Sequence, residues 1–396
     1  MVLHSFYFCG KYKYRGVTFM IKRPEKVRYA VIGAGNGGLA MAGYLGLMGF
    51  TVVLYNRTIE KIKTLVEKPE IMLTGAVEGV GRLSTVTDNI KEAVKNSDII
   101  MITTPATAHR ELARMMAPHL DDGQIIVLNP GRTCGALEVY QTLREAGCEK
   151  DITVAEAQTF IYACRATGPN SAKIFSVKNE VKLAAIPASR TEYVIWLLSC
   201  AYPQFKPARD VMETSLNNFG AIFHPAPTLL NSGHIERGQA FEYYLEGITP
   251  SIGQMLERLD AERMKVARLL GVKTMSAVKW LEESYGASGN SIYEAIQNNP
   301  AYKGLTAPKD LKTRYIYEDV PFSLVPIASL AKNIGVETPA IDTIIRLANM
   351  MTGENFWEMG RTVEKLGLAG LSPSQIIEFA QHGYVDAAKT GEEVVA

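Results

Sequence analysis

The sequence predicts an α/β chain, with an N-terminal doubly wound parallel sheet followed by an all-helical C-terminal half. Three observations predict it. Residues 27–55, "VRYAVIGAGNGGLAMAGYLGLMGFTVVLY", set a glycine-rich turn between a β-rich run and a helix-favouring one, with a second β-branched run beyond. Two more apolar runs, "DIIMITTPA" (98–106) and "QIIVLNPG" (124–131), have the composition of buried parallel strands and end in polar, Gly or Pro residues. From about residue 190 the apolar period lengthens to three and four residues, and strand signals become scarce.

The first strand–turn–helix unit has a specific use. Gly33 permits a tight turn, Gly35 lets the backbone come close to a pyrophosphate, and Gly38 lets the helix pack near the strand. The helix start, with Asn36 and Gly37, offers free N–H groups to phosphate. A GxGxxG alone is a weak signal; its place between strand and helix, with a second strand following, makes this a Rossmann-type dinucleotide-binding domain. At the end of the second strand NAD enzymes usually carry an acid that accepts the ribose hydroxyls. Here Asn56, Arg57 and Thr58 stand instead. No carboxylate repels a 2′-phosphate, and Arg57 can grip one through two bonds, so NADP(H) is favoured and NAD(H) stays open.

Ligands in open α/β sheets gather beyond the carboxyl ends of the strands. Thr103, Thr104, Pro105, Asn129, Pro130 and Gly131 are therefore expected on the nicotinamide side. "ITVAEAQTFIYACRATGP" (152–169) reads as a further strand ending near the same crevice, and "AKIFSVKNEVKLAAIP" (172–187) as two short strands completing the domain.

In the second half, "ITPSIGQMLERLDAERMKVARLLGV" reads as an amphipathic helix with Asp260, Glu262 and Arg263 on its polar side and Gly271 as its stop. "MSAVKWLEESYG", "VPFSLVPIASLAKNIGV" and "PAIDTIIRLANMMTG" behave similarly. The expected organisation is an extension (1–19) with the folded unit starting near Met20, an NAD(P)-binding domain (20–200) and a helical substrate-binding domain (201–396). Substrate is expected in a cleft between the two domains.

Bulk properties exclude several classes. The 396 residues are 47% hydrophobic and 21% charged, a globular composition. A net charge of +1 gives no global pull toward nucleic acid or an anionic membrane. No apolar run nears the roughly 20 residues that span a bilayer. The five cysteines are scattered, odd in number and without a CxxC, so reduced thiols in the cytoplasm are expected rather than a disulfide framework or a metal site. Met350, Met351, Phe356 and Trp357 could serve a homodimer or ordinary core packing.

The helical half separates the dehydrogenase groups that share this layout. "METSLNNFGAIFHPAPTLLNSG" has asparagines but lacks the lysine that dehydrogenases of glycerol 3-phosphate or 6-phosphogluconate carry nearby. The segments "GAGNGGLAMAGYLGLMG", "LNPGRTCGALE", "QTFIYACRATGP", "NNFGAIFHPAPTLLN", "YGASGNSIYEAIQNNPAYKGLTAPKDLKTRYIYEDVPFSLVPIASLAKNIGVETPAI" and "GRTVEKLGL" occur in an order that resembles the octopine/nopaline (opine) dehydrogenase family. The likeness spans about residues 28 to 370. It implies NAD(P)H-dependent reductive condensation of an L-amino acid with a 2-oxo acid such as pyruvate, or the reverse oxidation. It also implies a His–Asp pair for proton transfer, at His224 and Asp319, and an arginine for a substrate carboxylate, at Arg314.

These residue types suit that chemistry. Imidazole donates and accepts protons near neutral pH, a carboxylate fixes its tautomer, and a guanidinium clamps a planar carboxylate. By residue type alone, His224 is an ordinary histidine before a proline, Asp319 a helix N-cap and Arg314 a surface ion-pair partner. Tyr243, Tyr244, Tyr315, Tyr317 and Phe356 are candidates to line the amino-acid pocket, or helix-core packing. Two other functions stay open: a single-substrate 2-hydroxy or 2-oxo acid dehydrogenase, and a catalytically silent NADP-binding sensor.

Overall fold

The computed structural model describes residues 11–14, 17–20 and 23–386. Of the expected N-terminal extension, residues 1–10, 15 and 16 lie outside the described residues. The rest pairs in an antiparallel hairpin, β1 (Lys11–Tyr14) with β2 (Val17–Met20). The chain forms two compact units, one of residues 1–104, 108–130 and 142–207, the other of 105–107, 131–141 and 208–396. The boundary therefore falls seven residues beyond the expected 200/201, because a last short strand still belongs to the first unit. Two short N-terminal segments group with the second.

In the first unit the further strands are β3 (Arg28–Ile32), β4 (Thr51–Tyr55), β5 (Glu70–Gly75), β6 (Gly79–Arg82), β7 (Thr85–Thr87), β8 (Ile99–Ile102) and β9 (Ile125–Leu128). They continue with β10 (Thr153–Ala157), β11 (Tyr162–Gly168), β12 (Ser171–Val177), β13 (Val181–Ile186) and β14 (Phe205–Pro207). Eight form one sheet in the order β14-β13-β10-β9-β8-β3-β4-β7, in which only the β10–β13 pair is antiparallel. Chain order reverses between β3 and β8, which makes the carboxyl ends of those two strands the switch point where an open α/β sheet binds its ligand.

A second, four-stranded sheet runs β11-β12-β5-β6. Segment 152–169 is thus two strands rather than one, and β12 joins this second sheet instead of extending the first. The helix Asn36–Leu47 packs against strands of both sheets, which explains why it is apolar nearly all round. Gly43 and Gly46 make that packing close: a Cβ on Gly46 would stand 2.5 Å from the Arg82 carbonyl oxygen.

The second unit is helical; among its described residues the β pairing is one isolated bridge, Glu242–Thr306. Its longest helix is Pro250–Leu269, which ends before Gly271 at φ +66°. Asp260 and Arg263 do not face solvent, as the amphipathic reading expected: Arg263 is fully buried and Asp260 nearly so. The guanidinium donates to Asp260, to the Met275 carbonyl and to the Leu216 carbonyl, and it lies over the Phe219 ring. Burial is tolerated because these acceptors satisfy the charge and its donors. The same interactions fix the backbone just before the "NNFGAIFH" stretch. Among the described residues no helix is long and apolar enough to cross a membrane.

Candidate active site

The glycine turn is built by steric exclusion. Gly33 sits at φ +105°, where an L side chain would be strained, and its N–H donates to the Tyr55 carbonyl at 2.8 Å. A Cβ on Gly38 would fall 1.6 Å from the Gly33 carbonyl oxygen. The Thr103 hydroxyl, at the end of β8, donates to the Ile32 or Gly33 carbonyl at 3.0 and 3.1 Å and pins the turn across the switch point. Gly35 differs: a Cβ there would meet nothing within 4 Å. No side chain caps the helix beginning at Asn36, so its first N–H groups are left for a ligand. Open space in front of uncapped N–H donors fits a dinucleotide pyrophosphate.

Of the other cofactor candidates, Asn56 and Thr104 lie against that turn. Asn56 Oδ1 accepts the Ala34 N–H at 3.3 Å and its Nδ2 donates to the Thr58 carbonyl. Arg57 is 74% exposed and reaches Glu111 at 3.3 Å. Asn36 Oδ1 is engaged by the Ala166 N–H of β11 at 2.9 Å. Thr104 Oγ1 is buried with no partner among the described residues, as is Asn129 Oδ1. Pro105 is exposed and groups with the second unit, as does Gly131.

In the second unit His224 occupies a break between two short helices, Gly220–Phe223 and Pro225–Leu230. Pro225 supplies no N–H, so the first helix cannot run on. The His224 carbonyl is then held by the Thr228 hydroxyl and the Tyr243 hydroxyl, each at 2.7 Å. Its Nδ1 donates to Asp319 Oδ2 at 2.8 Å, since a carboxylate only accepts. Asp319 is fully buried, whereas the imidazole is 20% exposed and its Nε2 has no partner among the described residues. Tyr315 stacks on the ring at 4.1 Å and 13°. Burial holds the Tyr315 hydroxyl above the usual phenol range, so it stays neutral and can donate a hydrogen bond.

A local irregularity puts Asp319 there. After the helix Arg314–Tyr317 the chain makes one wide turn, Val320–Leu324, in which the Val325 N–H bonds the Val320 carbonyl five residues back. The Pro321 carbonyl is thereby released and accepts the Arg361 N–H at 3.2 Å. Pro326 has no N–H for the Phe322 carbonyl, which instead accepts the Thr133 N–H at 3.1 Å. The fully buried Arg361 completes the clamp, donating to the Gly131 and Thr133 carbonyls and pairing with Glu138. Arg132 is held between those carbonyls at φ +61°.

Arg132 and Glu318, which the sequence reading did not single out, complete the site. Arg132 Nη1 lies 3.1 Å from Asp319 Oδ1 and its Nη2 lies 2.9 Å from Glu318 Oε2. Arg314 pairs with the same Glu318 oxygen at 2.7 Å, and its own side chain is 61% exposed. The structure therefore joins His224 directly to Asp319, and Arg314 to that pair through Glu318 and Arg132. Asn218 ties the surroundings, donating to Thr133 and Ser323 and accepting the Gly220 N–H. Gly220 must lack a side chain, because a Cβ would lie 2.8 Å from Arg132 Nη1 and 3.0 Å from Asp319 Oδ1. Asp319 makes no N-cap bond; both of its oxygens are committed here. Of the other aromatic candidates Tyr243, Tyr244 and Phe356 are buried packing residues, and Tyr317 packs edge-on against Phe356.

Comparison with known proteins agrees with both units. Residues 207–352 match the family described as NAD/NADP octopine/nopaline dehydrogenase, alpha-helical domain. Residues 28–149 match the NAD binding domain of 6-phosphogluconate dehydrogenase. An opine dehydrogenase of Arthrobacter sp. (strain 1C) is 40% identical over 353 residues, covering 89% of this chain and 98% of the relative. An octopine dehydrogenase solved with NADH and agmatine superposes with a TM-score of 0.77 at 21% identity, over 90% of this chain and 99% of that one. A yersinopine dehydrogenase solved with NADP+ gives a TM-score of 0.72 at 14% identity, over 87% and 98%. With a helical-domain match and a 40% identical relative spanning both units, the chain belongs to the opine dehydrogenase family, NAD(P)-dependent oxidoreductases acting on CH–NH bonds.

Proposed function

We propose that the chain condenses an L-amino acid with a 2-oxo acid and reduces the product to an N-(carboxyalkyl) amino acid, with His224, Asp319 and Arg314 as the acting residues. One observation carries the residue assignment. An imidazole bonded through Nδ1 to a buried carboxylate keeps an uncommitted Nε2 on a partly exposed face. Arg314 clamps the oxo-acid carboxylate. The amine attacks the carbonyl, and Nε2 of the imidazolium protonates the departing hydroxyl, so a C=N bond forms and water leaves. The nitrogen ends protonated, which avoids building negative charge on it when the adjacent carbon is reduced. Asp319 holds the imidazole in one tautomer and orientation. The Tyr315 face beneath the ring suits a cation as well.

Bound NAD(P)H supplies the hydride; Gly33, Gly35, Asn36, Gly37, Gly38, Asn56, Arg57, Thr58, Thr104 and Pro105 are the residues that would hold it. NADP(H) is the favoured form, supported by Arg57 standing where an acid would select NAD. Complexes of octopine dehydrogenase with L-arginine and with pyruvate support the pairing of an amino acid with a 2-oxo acid. None of the four described cysteines is joined in a disulfide, which supports a cytoplasmic location. Met350, Met351 and Met359 are exposed, which supports a homodimer.

NADPH oxidation, followed with L-amino acids crossed against pyruvate, glyoxylate and 2-oxoglutarate, tests the reaction. Turnover is expected only when both substrates are present. Oxidation with a 2-oxo acid alone would make the chain a single-substrate dehydrogenase, and NADPH binding without turnover on any pair would make it a silent sensor.

A further inference from the structure

Glu318 is 3% exposed, yet it takes four donors. Its Oε1 accepts the Ala106 N–H at 2.8 Å. Its Oε2 accepts Arg132 Nη2 at 2.9 Å and, from Arg314, both Nε at 2.8 Å and Nη2 at 2.7 Å. The Nε edge of Arg314 is thus committed, while Nη1 has no partner among the described residues. We propose that Glu318 is the positioning residue of the oxo-acid subsite: it seizes one edge of Arg314 so that the other is presented, already oriented, to the substrate carboxylate. Arg132 serves it as a buried counter-charge shared with Asp319. The inference rests on the reading of Arg314 as the carboxylate clamp.

A long, mostly exposed arginine samples many rotamers, and an ordinary surface ion pair narrows them little. Glu318 is not an ordinary partner. It is buried, fixed by a backbone N–H and bonded to Arg132, so it is itself held in place. Two guanidiniums balance the two carboxylates Glu318 and Asp319, with Arg132 bonded to both. Arg314 keeps its Nε edge on Glu318 while its other edge meets a substrate carboxylate, so the network keeps its compensation. Fork-to-fork binding of a carboxylate needs two adjacent N–H groups in a fixed plane, and only a held guanidinium presents them.

The test is a double-mutant cycle on Glu318→Gln and Arg314→Ala, with Michaelis constants measured separately for oxo acid, amino acid and NADPH. Charge-assisted hydrogen bonds of this kind correspond to about 10- to 100-fold in binding. Glu318→Gln is expected to raise KM for the oxo acid by about that factor while KM for NADPH stays within about twofold, and to add little further when Arg314 is already alanine. A rise that is the same with or without Arg314 overturns the positioning role, and so does an even loss across all three substrates, which a structural defect would give. If Arg314→Ala alone leaves the oxo-acid KM unchanged, it is the clamp reading that fails. Should Glu318→Gln not fold, Glu318→Asp keeps the charge that Arg132 needs but withdraws it from Arg314. It should raise the same KM by about 3- to 10-fold and show the same loss of effect in the Arg314→Ala background; an unchanged KM overturns the proposal.

Discussion

The glycine turn at 33–38 and the charged network around Glu318 are built in opposite ways. The turn works by what is missing: side chains are excluded at Gly33 and Gly38 so that backbone atoms can approach one another, and space is left open at Gly35. The network works by what is present, with two guanidiniums, two carboxylates and an imidazole closing on one another at 2.7 to 3.1 Å. The first is contained in six consecutive residues. The second draws on Arg132 and Glu318, which are 186 positions apart. A backbone-defined site is tolerant of its distant surroundings, whereas a charge-defined one depends on every member, since an unpaired buried ion is costly.

That difference is most severely tested at His224. His224→Ala is expected to lower turnover by about 10²- to 10⁴-fold, the usual share of acid–base catalysis, with NADPH affinity nearly unchanged. Stopped-flow turnover and fluorescence titration of NADPH would read the two separately. Retained turnover would remove the imidazole from the chemistry. A matching loss of NADPH binding would show that the two regions are not independent.

The network should also respond to acid in a way that the turn does not. Burial pushes the Glu318 carboxyl up, but Arg132, Arg314 and the Ala106 N–H outweigh it and hold the group at about 2, below its ordinary 4.5. A carboxylate whose folded value is depressed stabilises the fold above its unfolded value, and that contribution is lost as pH falls from about 4.5 toward 2. The size is on the order of 3 kcal/mol. Denaturant unfolding of the wild type across this window should therefore show stability falling with pH more steeply than in Glu318→Gln. Parallel curves would mean that the network contributes nothing to the acid limb.

The same contrast explains how much could be read in advance. Gly33 to Gly38 announce a fold, because strand, turn and helix are contiguous and each glycine has a local cause. His224, Asp319 and Arg314 were reachable through resemblance, because they sit in long recognisable segments. Arg132 was not. Its segment, "LNPGRTCGALE", was read only as one of those that carry the family resemblance, with no role given to the arginine, and nothing local says that an arginine there will meet two carboxylates. The cause lies at Pro326 and the wide turn before it, which free the Phe322 carbonyl for Thr133 and the Pro321 carbonyl for Arg361, whose side chain holds the loop bearing Arg132. Glu318 hid beside Asp319 for the same reason. Arg263 was read as a solvent-facing charge, since helical periodicity cannot see the Leu216 and Met275 carbonyls that receive its donors. The strands β11 and β12 did carry a signal that could have separated them from the main sheet. Both alternate between more and less buried residues, whereas β8 and β9 are buried throughout.

Within the turn itself two glycines should fail differently. Gly38→Ala drives a methyl group into the Gly33 carbonyl and should cost about 1–3 kcal/mol of stability along with NADPH affinity. Gly35→Ala meets no protein atom, so stability should change by less than about 0.5 kcal/mol while NADPH binding weakens roughly tenfold. Thermal melts beside NADPH titrations separate them. If Gly35→Ala binds NADPH as the wild type does, the open space there is not where the pyrophosphate lies.

The smallest effect concerns the rim of the first unit, where a charge rather than a gap does the selecting. Arg57 is 74% exposed and pairs with Glu111 at 3.3 Å. Solvent screening makes that pair weak, worth at most about 1 kcal/mol, so a dianionic 2′-phosphate can displace it. Arg57→Ala should reduce NADPH affinity by about 5- to 30-fold and leave NADH within about twofold. Glu111→Gln removes the competitor and should act in the opposite sense, tightening NADPH by no more than about fivefold. The two substitutions probe one guanidinium from either side, so their signs must differ if the 2′-phosphate is its ligand. A shift of the same sign in both, or an NADPH-to-NADH ratio that neither moves, would mean that selectivity between the two cofactors is set elsewhere on the strand end, with Asn56 and Thr58 as the remaining candidates.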